Sequence, residues 1–209
     1  MAQFFVVHPD SPQPRLIQQT VDIIQRGGVV AYPTDSSYAL GCSIGNKQAM
    51  DRIRTIRRVD HNHNFTLVCR DLSELSLYAR VDNEDYRLLK RLTPGPYTFI
   101  LPASREVPRR LQHPRRKTIG LRVPAFPIVS AILDRLDEPL MSSTLILPKE
   151  NLPMNDADEI RLALEKSVDA VIDGGPCVFE PTTVIGMTGS VPEILRSGGG
   201  DPLDFIHAD

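Results

Sequence analysis

The run Leu16-Ile17-Gln18-Gln19-Thr20-Val21-Asp22-Ile23-Ile24-Gln25-Arg26-Gly27-Gly28-Val29-Val30-Ala31-Tyr32-Pro33-Thr34-Asp35 holds, in order, a helix, its stop and a buried strand. Leu16, Ile17, Thr20, Val21 and Ile24 recur at helical spacing, which lays one apolar stripe along an amphipathic helix. Gly27-Gly28 follows where a helix C-cap glycine belongs, because a residue without Cβ enters the left-handed conformation at little cost. Val29 to Tyr32 is apolar throughout and of strand length, so it is predicted as a strand covered on both faces and closed by Pro33.

The same alternation extends in both directions. Residues 4–8 are predicted as a first strand. Asn46 is placed to cap a helix carrying Ala49, Met50, Ile53 and Ile56 on one side, after which residues 65–69 return to β character. Further helices are predicted near residues 84–92, 128–136 and 158–166. Strands are predicted near 97–101, 118–123, 139–145, 170–172, 182–187 and 193–196, making about nine in all. Strands alternating with helices indicate an α/β protein. The 18 prolines are spread along the chain, so residues 1–209 are read as one domain. The weakest join is 147–154, which reads equally as a surface loop or a hinge.

A chain of 209 residues with 41% hydrophobic content can bury a substantial core, and a net charge of -2 excludes a polycation. Any affinity for nucleic acid must then come from local clustering of charge. Cys42, Cys69 and Cys177 are scattered and form no C-x-x-C pair, against a disulfide framework or zinc site and in favour of a reducing cytoplasm. Cys42 is open to a reactive role or, more simply, a buried one. No window approaches a membrane span, and the first residues lack a signal-peptide pattern. A cytoplasmic protein without membrane partner or protein-bound metal is expected.

Chemistry is expected at strand ends, where a rigid sheet positions loops. Thr34, Asp35 and Ser36 follow a buried strand and are suited to a small polar ligand. They equally suit an ordinary turn whose side chains bond their own backbone. Arg52, Arg54, Arg57 and Arg58 form one basic group, and Arg105, Arg109, Arg110, Arg115, Arg116 and Lys117 another. On one surface they would attract RNA or polyphosphate; apart, they are a solvated helix face and a basic loop. Arg54, Arg57 and Arg58, at i, i+3 and i+4, can share a helix face leading into residues 60–64. Arg122, Ser142-Ser143-Thr144, Thr182-Thr183 and Arg196 each put a hydroxyl or guanidinium in or beside an apolar strand, a costly placement unless paired or kept for a ligand.

The ordered set of these segments resembles the YrdC/YciO-like family, and most closely its YciO branch. The resemblance spans about residues 6–199 and rests on Gly27-Gly28-Val29-Val30-Ala31-Tyr32-Pro33-Thr34-Asp35-Ser36, Leu40-Gly41-Cys42, Thr93-Pro94-Gly95-Pro96-Tyr97-Thr98, Ile119-Gly120-Leu121-Arg122-Val123-Pro124, Pro181-Thr182-Thr183-Val184 and Leu195-Arg196-Ser197-Gly198. It implies a twisted, open, mixed sheet flanked by helices, with a concave positive surface suited to nucleotide or double-stranded RNA. It also implies kinship with enzymes that make L-threonylcarbamoyladenylate from ATP, L-threonine and bicarbonate for tRNA modification, with Mg²⁺ accompanying the ATP.

Carried over by resemblance, Thr34, Arg122, Ser142 and Thr182 are expected around threonine or a similar small anion. Arg57, Thr118, Thr144 and Arg196 are expected around the nucleotide, with Arg57, Arg122 and Ser142 nearest the chemistry. Double-stranded RNA or tRNA is expected on Arg54, Arg58, Arg109, Arg110, Arg115, Arg116 and Lys117. Two signatures depart from the synthase pattern. Arg57-Arg58-Val59-Asp60 stands for Lys-x-Arg-Pro, and Ser142-Ser143-Thr144 for Ser-x-Asn. The resemblance therefore implies a YciO-type protein binding nucleotide and RNA, with weak or altered synthase activity. The alternatives are a fully active synthase and a non-catalytic RNA-binding module.

Overall fold

The computed structural model describes residues 1–60 and 63–201. The opening run folds as its pattern requires. Helix α1 (Pro14–Gln25) buries Ile17, Thr20, Val21, Ile23 and Ile24. Gly27, at φ 86°, donates to the Ile24 carbonyl, and Gly28 donates to the Ile23 carbonyl, both at 2.9 Å, which closes the helix as a Schellman motif. Strand β2 (Val30–Tyr32) is buried throughout.

The other elements are β1 (Gln3–Val6), β3 (Ala39–Ser43), α2 (Lys47–Arg57), β4 (Thr66–Val68), α3 (Leu72–Tyr78), α4 (Asn83–Leu92), β5 (Tyr97–Pro102), β6 (Thr118–Arg122), α5 (Pro127–Leu136), β7 (Leu140–Thr144), α6 (Ala157–Leu164), β8 (Ala170–Asp173), β9 (Thr183–Gly186) and β10 (Glu193–Arg196). Two were not anticipated. Strand β3 begins Ala-Leu-Gly, residues of low β preference. Helix α3 has seven residues, too few to show a period, and depends on its Asp71 cap. The first strand also starts and ends earlier than expected.

The ten strands form one sheet in the order β1-β8-β2-β3-β7-β4-β6-β5-β9-β10. Parallel pairs (β1/β8, β2/β8, β4/β6, β5/β9) mix with antiparallel ones. Helices α1 and α5 cover one face, packing on Val30, Tyr32, Ala39, Leu140, Ala170 and Ile172. Helices α2, α3, α4 and α6 cover the other, packing on Leu40, Leu67, Phe99, Leu121, Met141 and Val171. The core under α1 and α5 includes no residue of β5, β6 or β9. On that face β6 carries Thr118, Gly120 and Arg122, β5 carries Thr98 and Ile100, and β9 carries Val184 and Gly186.

Candidate functional site

Strand register decides which candidates meet. Gly41, Ser142, Thr66, Gly120, Ile100 and Gly186 oppose one another in a single row across six strands. Cross-strand partners share a face. Arg122 beside Val68, Thr144 beside Ala39, Thr118 beside Pro102 and Arg196 beside Val184 therefore lie on the face of Ser142. Gly120 keeps the middle of the row low, because a Cβ there would stand 3.2 Å from Thr66 Oγ1. Thr182, just before β9, joins the same face through a 2.8 Å bond to Thr98 Oγ1.

Arg122 is held by a carboxylate clamp. It donates through Nη2 to Asp35 Oδ1 and, at 3.4 Å, through Nη1 to Ser36, while the second Asp35 oxygen accepts from the Ala125 N–H at 3.0 Å. Both ends of the pair are about nine-tenths buried, and Arg122 Nε is buried without a hydrogen-bond partner. The guanidinium is thus fixed in direction with its Nε–H unmatched. Arg196 donates to the Thr182 carbonyl at 2.9 Å and its hydroxyl at 3.3 Å, and desolvation lowers its pKa. Ser142 Oγ lies 2.7 Å from the hydroxyl of fully buried Tyr32, whose pKa burial pushes up to about 12. That phenol stays protonated at neutral pH.

Thr34 takes the bland option. Its hydroxyl donates to the Ser37 carbonyl at 2.7 Å and accepts from the Ser36 and Ser37 N–H groups at 3.1 and 3.2 Å. It builds the turn that delivers Asp35 and Ser36 to Arg122. The three cysteines are free and buried. Burial raises Cys42 to about 12 and Cys177 to about 11, so Cys42 is a core thiol.

Arg57 is not brought to the hydroxyl face. It donates to Ser143 Oγ, and Ser143 points opposite to Ser142 because side chains alternate along a strand. Its Nη1 also lies 2.8 Å from His63 Nε2. His63 was not singled out from sequence, since a histidine six residues beyond Arg57 meets it only after the chain leaves α2 at its left-handed cap, Arg58. Ser143 had a usable signal in strand parity. Arg54 is corrected as an RNA contact. It is 9% exposed, pairs with Asp51 at 2.9 Å and lies over the Phe65 ring at 5.2 Å, a structural cation. Arg58 leaves the helix and is exposed, so the three arginines share no face. His61 and Asn62 lie outside the described residues.

Arg105, Arg109, Arg110, Arg115, Arg116 and Lys117 are exposed on a loop anchored by buried Val107 and Leu111. None has a carboxylate partner among the described residues. A separate cleft of about 480 Å³, with Pro94, Val123 and Phe126 in its lining and Arg70 and Lys90 beside them, includes none of the residues expected at the site. Among the described residues no three His, Cys, Asp or Glu side chains cluster to hold a metal. Both Asp35 oxygens are engaged. The donor set does not fit a protein-held Mg²⁺. No described helix is long and apolar enough to cross a membrane.

A family model, Sua5_yciO_yrdC, described as "Telomere recombination", matches residues 22–198. The chain belongs to the Sua5/YciO/YrdC family. The YciO protein of Escherichia coli (strain K12) is 54% identical over 99% of this chain and all of its own length. The E. coli YciO crystal structure superposes with a TM-score of 0.94, at 55% identity over 98% of this chain and 100% of that one. A threonylcarbamoyl-AMP synthase of Coxiella burnetii (strain RSA 493 / Nine Mile phase I) is 32% identical over 86% of this chain and 96% of its own. P. abyssi Sua5, whose crystal structure is a complex with L-threonine, matches at a TM-score of 0.86 and 25% identity, over 94% of this chain and 57% of that one. The family fold is thus preserved almost end to end, and the chain is related to threonylcarbamoyl-AMP synthases.

Proposed function

We propose that this chain binds a nucleotide and a small amino acid, L-threonine or one like it, on the hydroxyl face, and that it carries out the synthase reaction weakly or in altered form. The observation behind this reading is the sharing of one face by Arg122, Ser142, Thr182, Thr118, Thr144 and Arg196, with Arg57 turned away onto Ser143. Arg122, pre-oriented by Asp35, suits a ligand carboxylate. Arg196 and the hydroxyls of Thr118 and Thr144 suit phosphate.

In the synthase reaction threonine's amine attacks the carbon of bicarbonate, and as the N–C bond of the carbamate forms a C–O bond breaks and water leaves. A carbamate oxygen then bonds to the α-phosphorus of ATP as the bond to pyrophosphate breaks. Such a step depends on positioning and charge neutralisation more than on covalent help from protein. The face retains the positioning groups. Removing one donor from a closed site commonly costs about 10²–10³ in rate. With Arg57 behind β7 and Val59 in place of the second signature cation, turnover is expected at least that far below a Coxiella-type synthase.

The test is threonine-dependent release of pyrophosphate from ATP and bicarbonate, alongside calorimetry with each ligand. Binding of both with slow or no turnover supports the reading. A rate equal to the synthase overturns the weak-activity part, and absence of binding overturns the site. RNA binding is a second reading, favoured by the six exposed cations of the 105–117 loop. Replacing Arg109, Arg110, Arg115 and Arg116 by alanine should flatten the salt dependence of tRNA binding by about 0.7–0.9 per lost phosphate contact. An unchanged slope removes this reading.

A further inference from the structure

The cleft beyond the end of β6 is built differently from the hydroxyl face. Its lining comes from the segments that follow β4 (70–72) and β6 (123–127), the turn before β5 (93–94) and single residues of α4 and α5. It therefore lies over the carboxyl ends of a parallel strand pair, between helices that belong to opposite faces of the sheet. Ligand clefts of α/β sheets open at such ends. Its volume of about 480 Å³ falls within the about 300–1,000 Å³ usual for a small-molecule site. Val123 and Pro124 are its buried lining, Leu72 and Phe126 are half-buried, and Pro94 and Pro127 are exposed.

Few polar groups of the lining are free. Pro94, Pro124 and Pro127 have no N–H, and the Ala125 N–H is taken by Asp35 Oδ2 at 3.0 Å. The Thr93 hydroxyl donates to the Leu89 carbonyl at 2.7 Å, and that of Ser130 to the Phe126 carbonyl at 3.2 Å. Asp71 accepts from the Glu74 N–H at 2.8 Å and faces Arg70 Nε at 3.5 Å. Arg70 also meets Asp137, outside the lining, at 3.4 Å, and the charge of Glu74 lies near it. Lys90 is different. It is exposed, and among the described residues no carboxylate lies within ion-pair distance of it. One uncommitted ammonium beside an apolar wall suits one negative charge carried on an apolar body. A phosphate chain calls for several donors, which this lining does not offer.

We propose that this cleft binds a small aromatic carboxylic acid, with its ring against Phe126, Leu72 and Val123 and its carboxylate on Lys90. Phe126 is the lining's aromatic side chain and provides an edge or face for the ligand ring. The cleft shares no residue with the hydroxyl face. The two are joined through Ala125, whose N–H holds the carboxylate that orients Arg122, so a ligand that shifts residues 123–127 acts on that clamp as well.

Cinnamate is the probe, with cinnamamide and cinnamylamine as its neutral and cationic counterparts and inorganic phosphate as an anion without an apolar body. Each is titrated into the intact protein at neutral pH and followed by amide and methyl NMR. The expected result is saturable one-to-one binding of cinnamate, with larger shifts at Leu72, Val123, Ala125 and Phe126 than at Ser142 and Thr182. Lys90→Ala should weaken cinnamate about tenfold, the loss of one charge-assisted hydrogen bond, and leave cinnamamide unchanged. Lys90→Arg should keep the preference for the acid. Phe126→Leu, which retains an apolar side chain at the head of α5, should weaken cinnamate and cinnamamide alike. The proposal is overturned if cinnamate does not saturate or shifts chiefly the hydroxyl face, if the amide or the amine binds as tightly as the acid, or if phosphate displaces cinnamate. Neither ATP, threonine nor turnover enters the titration, so its failure is distinct from failure of the synthase reading.

Discussion

Ser142 turns its hydroxyl onto Tyr32, on the face of the sheet that α1 and α5 pack against, whereas Ser143, one residue on, turns its own onto Arg57 and His63 on the side of α2. The two surroundings differ in charge balance. On the hydroxyl face Arg122 is matched by Asp35, and its direction is set before any ligand arrives. Behind β7 the charge of Arg57 meets, among the described residues, the neutral acceptors His63 and Ser143. The first region is electrically matched by its own acid; in the second, burial lowers the pKa of Arg57 and no described carboxylate offsets its charge. A Ser-Ser-Thr run that reads as one motif along the chain is divided by strand parity between two surroundings of different character.

The largest expected effect tests the matched side. Arg122→Ala leaves Asp35 desolvated without its cation, and breaking a buried pair from one end costs about 3–5 kcal/mol. Denaturant unfolding should register that loss, and the double variant with Asp35→Ala should recover part of it. A loss below about 1 kcal/mol would mean that the clamp is not built in. Next is Gly198→Ala. A Cβ at Gly198 would stand 2.0 Å from the Pro181 carbonyl and 2.7 Å from the Thr182 carbonyl carbon, so the backbone carrying Thr182 must shift. Overpacking of this kind costs about 1–3 kcal/mol. Ligand binding on the hydroxyl face should weaken, with His63 unchanged by NMR. Movement of His63 as well would show the two regions to be coupled.

These contrasts were only partly visible in the sequence. The helix, stop and strand around Gly27-Gly28 and the Asn46 cap, which accepts from the Ala49 N–H at 3.0 Å, are local chemistry and were legible. Strand β3 was not. Its tolerance of Gly41 comes from neighbours distant in sequence, since a Cβ there would stand 2.7 Å from the Tyr32 ring and 2.8 Å from Leu140. The convergence of Arg122, Ser142, Thr182 and Arg196 was legible only through family order, because register across six strands is not written in any one segment. Arg54 was grouped with surface cations because nothing near it in the chain announces Phe65 as its cover.

A paired substitution sharpens the division at lower cost. Ser142→Ala strands the hydroxyl of fully buried Tyr32, worth about 1–3 kcal/mol, and should reduce ligand binding on the hydroxyl face while leaving the His63 resonance in place. Ser143→Ala should do the reverse, moving His63 at a stability loss of about 1 kcal/mol. If both variants move both readouts, strand parity does not separate the two sides.

The smallest effect is a slope. His63 has a folded pKa of about 4 against an ordinary 6.5, lowered first by burial and then by Arg57. Between those values the unfolded chain binds the proton and the folded one does not, so stability falls as pH drops through that window and levels off below it. One full proton would give about 1.4 kcal/mol per pH unit. Access of water to the half-buried ring reduces that figure. Denaturation midpoints measured between pH 6.5 and 4.5 should therefore fall more steeply for the wild-type protein than for His63→Gln. Equal slopes would show that His63 titrates as an exposed histidine does, and the contrast in charge balance between the two sides of β7 would lose its second half.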